Sequence, residues 1–362
     1  MAVRSASRRR ITALALVAIL VAAVVVALIA SRRTSAHERR AALAASALSL
    51  TVSGAPTGHA IPSGFLGLSL EYPAIEAYAG NDPKALDPVF LQLIRNLTLG
   101  QAPNLRMRHS TSIRSRRCYI SPSQPQCPTI AHMLSPEASR GLADKVAALV
   151  PVAHARHVPL RIDEMNTVSC GSAPRLGDGF VSALWALDAV FQMARVGVDG
   201  VNIHSYPNAP YELFTFARRH GRWSADVAPE YYGLLMFAQA APPGARLLRT
   251  SGALGDVRAW ATRAPDGTIH VVLINDYTAQ ARTIALHIAG ATAAATLERL
   301  RAPGVTARTG VTLGGQGFGT ATTTGLLSGR SAITSVDSVT GAYAVRRPPA
   351  SAAMLTIPPT AS

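Results

Sequence analysis

The sequence predicts an α/β region followed by an all-β region. Strand-like and helix-like segments alternate with short links as far as Ala241, which is the signature of a parallel sheet. The helical period then stops at Pro242-Pro243-Gly244, and beyond it apolar residues recur with a period of two. With 362 residues, 48% of them hydrophobic, the chain is too apolar to be disordered and long enough for about two domains.

Residues 1–47 read as a tail. Arg8, Arg9 and Arg10 precede an uncharged apolar run from Ile11 to Ala30, and Arg32 and Arg33 follow it. Twenty apolar residues span a bilayer, so the expectation is a membrane contact through residues 11–30 with the main body outside the cytoplasm. Cleavage near Ala36, giving a secreted protein, is the alternative. This tail also carries +7 of the formal net charge of +15, and a second cluster, Arg106 to Arg117, carries +5. The rest is nearly balanced, which argues against a nucleic-acid partner, since such binding needs a basic face.

The segment GFLGLSLEY from Gly64 reads as a buried strand ending at the carboxylate Glu71. Pro83 to Leu97 has helical spacing, and Pro103 to Met107 is a second strand. Periodicity fails from Arg108 to Pro128, a basic, Ser/Pro-rich stretch. It resumes at Ser135-Pro136-Glu137, a helix start with proline in the first turn. Val158 to Ile162 is a strand with Asp163-Glu164 at its end, and Asp178 is placed to cap an apolar helix from Phe180 to Arg195 that stops at Gly197. Val198 to His204 is the next strand and Pro229 opens one more helix. Residues 245–360 read as an antiparallel β domain, a sandwich, beginning with two strands around an Asp266-Gly267 turn.

Three cysteines, Cys118, Cys127 and Cys170, make neither a disulfide framework nor a zinc pattern, and His154 and His157 have no third ligand nearby in sequence. No cofactor or metal is expected. The sharpest chemical feature is RIDEMNTVSCGS at Arg161 to Ser172, a carboxylate pair at a strand end followed by a polar loop. In a (β/α) barrel that edge is where catalysis sits.

PLRIDEMNTVSCGS, the following FVSALWALDAVFQMARVGVDGVNIH and then PEYYGLLMFAQ resemble glycoside hydrolase family 79, the β-glucuronidase and heparanase-like retaining glycosidases. GFLGLSLEY resembles the first barrel strand of that family and the last third resembles its C-terminal β domain. The resemblance implies a (β/α)8 TIM-like barrel, here incomplete over residues 60–244, followed by the β domain at 245–360. It implies Glu164 as the nucleophile, Glu71 at the sugar-binding floor, His204 and Tyr206 lining the pocket with Asn166, and a glycan or glucuronide as substrate.

The chain also departs from that family. The acid/base glutamate belongs to an Asn-Glu-Pro segment, and Asn-Glu occurs nowhere here. A barrel takes about 250 residues, whereas Gly64 to Ala241 supplies 178. Strands resembling the first, second, seventh and eighth are placed. The third to sixth are missing, with the join near residues 106–118. Loss of the second carboxylate implies an enzyme unable to turn over ordinary glycosides. The competing expectation is a non-catalytic carbohydrate-binding or structural exported protein, with Trp260 and Tyr277 as stacking platforms.

Overall fold

The computed structural model describes residues 48–98, 104–108, 129–168 and 175–359. The apolar run at 11–30, the three cysteines and the junction at 109–128 lie outside the described residues. Among the described residues no helix is long and apolar enough to cross a membrane.

In chain order the strands are β1 (Leu48–Ala60), β2 (Leu66–Glu71), β3 (Asn104–Arg108), β4 (Arg161–Met165), β5 (Gly200–Ser205), β6 (Phe214–Arg219), β7 (Arg222–Val227), β8 (Arg246–Ser251), β9 (Val257–Arg263), β10 (Ile269–Asn275), β11 (Arg282–Ile288), β12 (Ala295–Arg301), β13 (Thr312–Leu313), β14 (Thr334–Val336), β15 (Ala342–Arg347) and β16 (Ser351–Ile357). The helices are α1 (Ile75–Ala79), α2 (Pro88–Thr98), α3 (Ile130–Met133), α4 (Pro136–Ala147), α5 (Leu149–His154), α6 (Phe180–Val196) and α7 (Pro229–Ala240).

The α/β region is built on a four-stranded sheet in the order β3-β2-β5-β4, and all three pairings are parallel. Its central strands are buried on both faces, as a parallel sheet under helices requires: Leu66, Leu68, Leu70, Val201 and Ile203 are all in the core. Helix α6 is buried almost all round, and the left-handed Gly197 at its end has φ 89°, a conformation that glycine adopts without steric cost. Helices α6 and α7 meet so closely that a Cβ on Gly233 would stand 2.1 Å from the carbonyl oxygen of Ala183.

The β region differs from a sandwich of two separate sheets. One ladder of ten strands runs β13-β12-β16-β10-β9-β8-β1-β11-β15, with β14 paired to β12. It holds its own core from Leu50 and Val52 through Val271, Leu273, Ile284 and Leu286 to Tyr343 and Leu355. The ladder is not wholly antiparallel, because β1 runs parallel to β11. β1 also extends the layer to residues before the α/β region, so the β layer is not confined to 245–360.

Two further corrections are local. β4 starts at Arg161 rather than Val158, so Asp163 and Glu164 lie inside the strand. Asp178 does not cap α6: Gly179 is the N-cap residue, while Asp178 accepts from the backbone of Arg175 at 2.8 Å and pairs with Arg308 at 3.0 Å.

A buried polar cluster ties the two regions together. Asp188 on α6 is 1% exposed and accepts from Ser139, from Arg258 on β9 and, at 2.8 Å, from the indole nitrogen of Trp260. Arg258 also meets Asp276 at 2.8 Å and the carbonyl of Leu134. Trp260 stacks on Phe191, with ring centroids 5.3 Å apart and planes 7° apart. Trp260 is therefore half-buried, with Phe191 against one ring face and its indole N–H taken by Asp188. Tyr277 is covered by the Arg282 guanidinium, 3.7 Å from its ring centre.

Candidate functional site

Parallel strands deliver their carboxyl ends to one edge of the sheet, and in α/β proteins that edge collects ligands. Here the edge carries Glu71 from β2, Glu164 from β4, and His204 and Ser205 from β5. The register sets their levels. Ser69 faces His204, Leu70 faces Ser205, and Met165 faces Ile203, so β5 stands between the strands of Glu164 and Glu71, and Glu71 lies further along the strand direction than Glu164.

His204 is 5% exposed. Its Nδ1 lies 3.1 Å from the carbonyl oxygen of Ser69, and a carbonyl only accepts, so Nδ1 is the donor of this bond. The ring also leans on Tyr211, centroid to centroid 5.8 Å. Asn166, one residue past β4, donates through Nδ2 to the carbonyl of His204. Its Oδ1 accepts from the Thr167 backbone at 2.5 Å and from the Thr167 hydroxyl at 3.0 Å. That amide therefore fastens the end of β4 to β5 and sets the orientation of the strand that carries Glu164.

Glu164 is exposed beside the irregular step between Ile162 and Met165, Glu71 is half-buried, and Tyr206 is half-buried against the core. Arg161 locks the amino end of β4. Its Nη1 donates to Asn202 at 2.8 Å and its Nη2 to the carbonyl of Gly64 at 2.5 Å, which ties β4 to β5 and to the entry of β2.

Sequence reasoning missed a second cluster at the same edge. The Tyr78 hydroxyl on α1 lies 3.0 Å from the Ser205 hydroxyl and donates to Glu212 at 3.4 Å. Glu212 also accepts from the Asn208 backbone at 3.0 Å and from Thr215 at 3.2 Å. Burial raises the Glu212 carboxyl above the ordinary carboxylate range. With both oxygens engaged, Glu212 braces the loop after β5. The signal for it was present: it is a carboxylate in the loop that follows β5.

Glu137 belongs elsewhere. It is exposed in the first turn of α4, where the backbone N–H at the helix start and the Ser135 hydroxyl hold its carboxyl below the usual range. The apolar cleft lined by Ile61, Phe65, Leu66, Leu97 and Phe237 opens at the amino end of β2, opposite the carboxylate edge. His154 places Nε2 2.8 Å from Asp199, and among the described residues no three potential ligands converge on a metal position.

No protein-family model matches the sequence. No curated protein matches it. Solved structures do match in fold. The chain is similar to a 4-O-α-L-rhamnosyl-β-D-glucuronidase from Fusarium oxysporum 12S, with TM-score 0.52, 19% identity, and coverage of 76% of this chain and 57% of that one. It is also similar to a GH30 endoxylanase from Clostridium papyrosolvens C71, with TM-score 0.46, 11% identity, and coverage of 86% and 100%. A GH51 α-L-arabinofuranosidase from Thermotoga petrophila RKU-1 gives TM-score 0.44, 14% identity, and coverage of 60% and 47%. The chain thus has a glycoside hydrolase-like fold and spans a little over half the length of the rhamnosyl-glucuronidase.

Proposed function

We propose that the chain derives from the family 79 β-glucuronidase-like retaining glycosidases, binds uronic-acid glycosides at the carboxylate edge, and carries Glu164 as nucleophile without a competent acid/base partner. The observation that supports this reading is that Glu71, Glu164 and the braced His204 stand toward the carboxyl ends of the neighbouring parallel strands β2, β4 and β5. On this reading neither Glu212 nor Glu137 fills the second role. Glu212 is committed to three donors and Glu137 is far along the chain on an exposed helix start. Localisation outside the cytoplasm, with the 11–30 segment in the membrane, belongs to the same proposal.

Retaining hydrolysis needs a nucleophile for the first step and a base that activates water for the second. A substrate whose leaving group departs without protonation bypasses the acid. On a glucuronyl fluoride the Glu164 carboxylate forms the glycosyl ester as fluoride leaves, and the ester then persists for want of a base. Intact-mass spectrometry is expected to show one sugar-sized increase that Glu164→Gln abolishes, with no turnover of an ordinary aryl glucuronide. Rapid turnover of the aryl glucuronide, or a mass increase that survives Glu164→Gln, refutes the assignment.

A further inference from the structure

The β6–β7 hairpin carries a concentrated charge. Between Glu212 and Asp226 the sequence holds no acid, while Arg218, Arg219, His220 and Arg222 fall within five residues at the tip. All four side chains are exposed. The tip is a two-residue turn in which His220 has φ 50° and Gly221 has φ 77°, a doubly left-handed turn that matches the twist of paired strands and fixes their register. That register sets Arg218 against Trp223 and Arg219 against Arg222, so the last pair before the turn is two guanidiniums on one face.

The two faces of the hairpin differ. One is packed: Phe214 and Val227 are buried, Phe216 meets the Tyr78 ring with centroids 5.6 Å apart, and a Cβ on Gly80 would stand 3.1 Å from the Trp223 ring. Arg218 extends that face, its guanidinium 5.5 Å from the centre of the Trp223 ring. The other face presents Thr215, Arg219, Arg222 and Asp226 to solvent, with the small side chains of Ala217 and Ser224 between them. Asp226 lies at the base, away from the arginine pair, and Arg308 acts on its charge. Like charges directly opposite on a sheet, with Cβ atoms about 5 Å apart, are destabilising. An anion between Arg219 and Arg222 turns that repulsion into two charge-assisted contacts.

We infer that this face is a binding site, beside the carboxylate edge, for a polysaccharide with an acidic group on its repeating sugars. Position favours that occupant. The hairpin springs from the loop after β5, where Leu213 donates its backbone N–H to the Ser205 hydroxyl and Thr215 donates to Glu212. From Thr215 to Arg219 is four residues, about 13 Å along a strand, a distance that an oligosaccharide spans and a single sugar does not. Chemistry favours it too, because the planar guanidinium fork matches a carboxylate or sulfate in a bidentate contact. A nucleic acid needs a longer basic face than one hairpin tip. The inference rests on the proposed uronic-acid reading for the kind of sugar, and on the hairpin for everything else.

Affinity electrophoresis of the full chain in detergent, through gels containing hyaluronan, a polymer with one glucuronate in each disaccharide, tests it. The intact chain is expected to be retarded, and Arg219→Ser/Arg222→Ser to bind about tenfold more weakly. Arg301→Ser/Arg330→Ser removes two exposed cations from the β layer and is expected to bind as the intact chain does, which separates the hairpin from net charge. The thermal midpoint of the hairpin variant is expected to hold or rise, since a like-charge pair is gone. The gel needs no turnover, so absence of a glycosyl ester on Glu164 refutes the catalytic reading and leaves this one standing. Equal binding by the hairpin variant and the intact chain, equal loss in both double variants, or weaker binding accompanied by a lower midpoint overturns the proposal. So does equal retardation by hyaluronan whose carboxyls have been reduced to alcohols, or tighter binding of duplex DNA through the same two arginines.

Discussion

The β layer and the α/β region solve the same problem, the burial of strands, with different completeness. In the β layer the ladder recruits β1 from across the sequence to sit between β8 and β11, and a dedicated core fills its inner face. In the α/β region four strands are covered by helices on their outer face, and among the described residues the sheet ends at β3 and β4. The lesson is that helix packing alone does not finish a parallel sheet.

The coupling between the regions is the point where that comparison breaks most easily. Asp188→Ala removes the acceptor shared by Ser139, Arg258 and Trp260, leaving the indole N–H without its partner and the Arg258 guanidinium with Asp276 and the Leu134 carbonyl. Leaving a buried charge uncompensated costs about 3–5 kcal/mol, and the remaining Asp276 contact sets the cost here below that range. The expected result in denaturant is a lower midpoint and a split into two transitions, the β layer unfolding last. A single transition at the original midpoint would show that the regions are joined by other means.

Next in size is the helix pair. Gly233→Ala forces a methyl against the Ala183 carbonyl, so α6 and α7 must separate. Overpacking of this kind costs about 1–3 kcal/mol. Gly290→Ala, where no atom lies within 4 Å of the added methyl, is a control for backbone strain in the β layer because Gly290 has φ 74°. A chemical-denaturation midpoint that falls for Gly233→Ala, and falls more than for Gly290→Ala, locates the sensitive contact in the α/β region. Equal midpoints would remove the helix crossing from the account.

The legible parts of both regions were those whose burial is complete along the chain. β2, β5 and α7 announce themselves because an apolar run bounded by Gly or Pro leaves little choice, and the Asp266-Gly267 turn needs a glycine whose φ is 88°. β1 was unreadable, since only Leu50 and Val52 enter the core and most of the remainder is small or polar, with register shifts on β8. The position of β4 was misread because its inward side carries Arg161, whose partners, Asn202 and Gly64, are distant in sequence. The same distance hid the site's internal bracing. Glu164 was visible as a strand-end carboxylate, but Asn166 holding His204, and Tyr78 holding Ser205 and Glu212, depend on pairings that only the folded sheet creates.

The smallest expected effect concerns pH and lies wholly on the β side of the comparison. Burial raises the carboxyl of Asp276, beside Arg258, to about 7, and burial alone raises that of Glu298 on β12 to about 7. Arg258 lowers Asp276 in turn, but desolvation is the larger influence, and the same guanidinium is shared with Asp188. In the unfolded chain both carboxyls return to about 4. The folded state therefore binds more protons than the unfolded state between about pH 4 and 7, and stability declines as pH rises through that window. Below it the contribution is fully present, and above about pH 7 it is lost. Asp276→Asn and Glu298→Gln each remove one such titration, so each is expected to flatten the slope of unfolding free energy against pH over that window. Glu212→Gln is a harder comparison, since that carboxyl is also raised by burial but sits in the α/β region under three hydrogen bonds. If the β layer is the second unit to unfold after Asp188→Ala, the Glu298 effect should follow the late transition and the Glu212 effect the early one. Flattening by Glu298→Gln in the early transition would place β12 with the helices, whose core Leu300 shares.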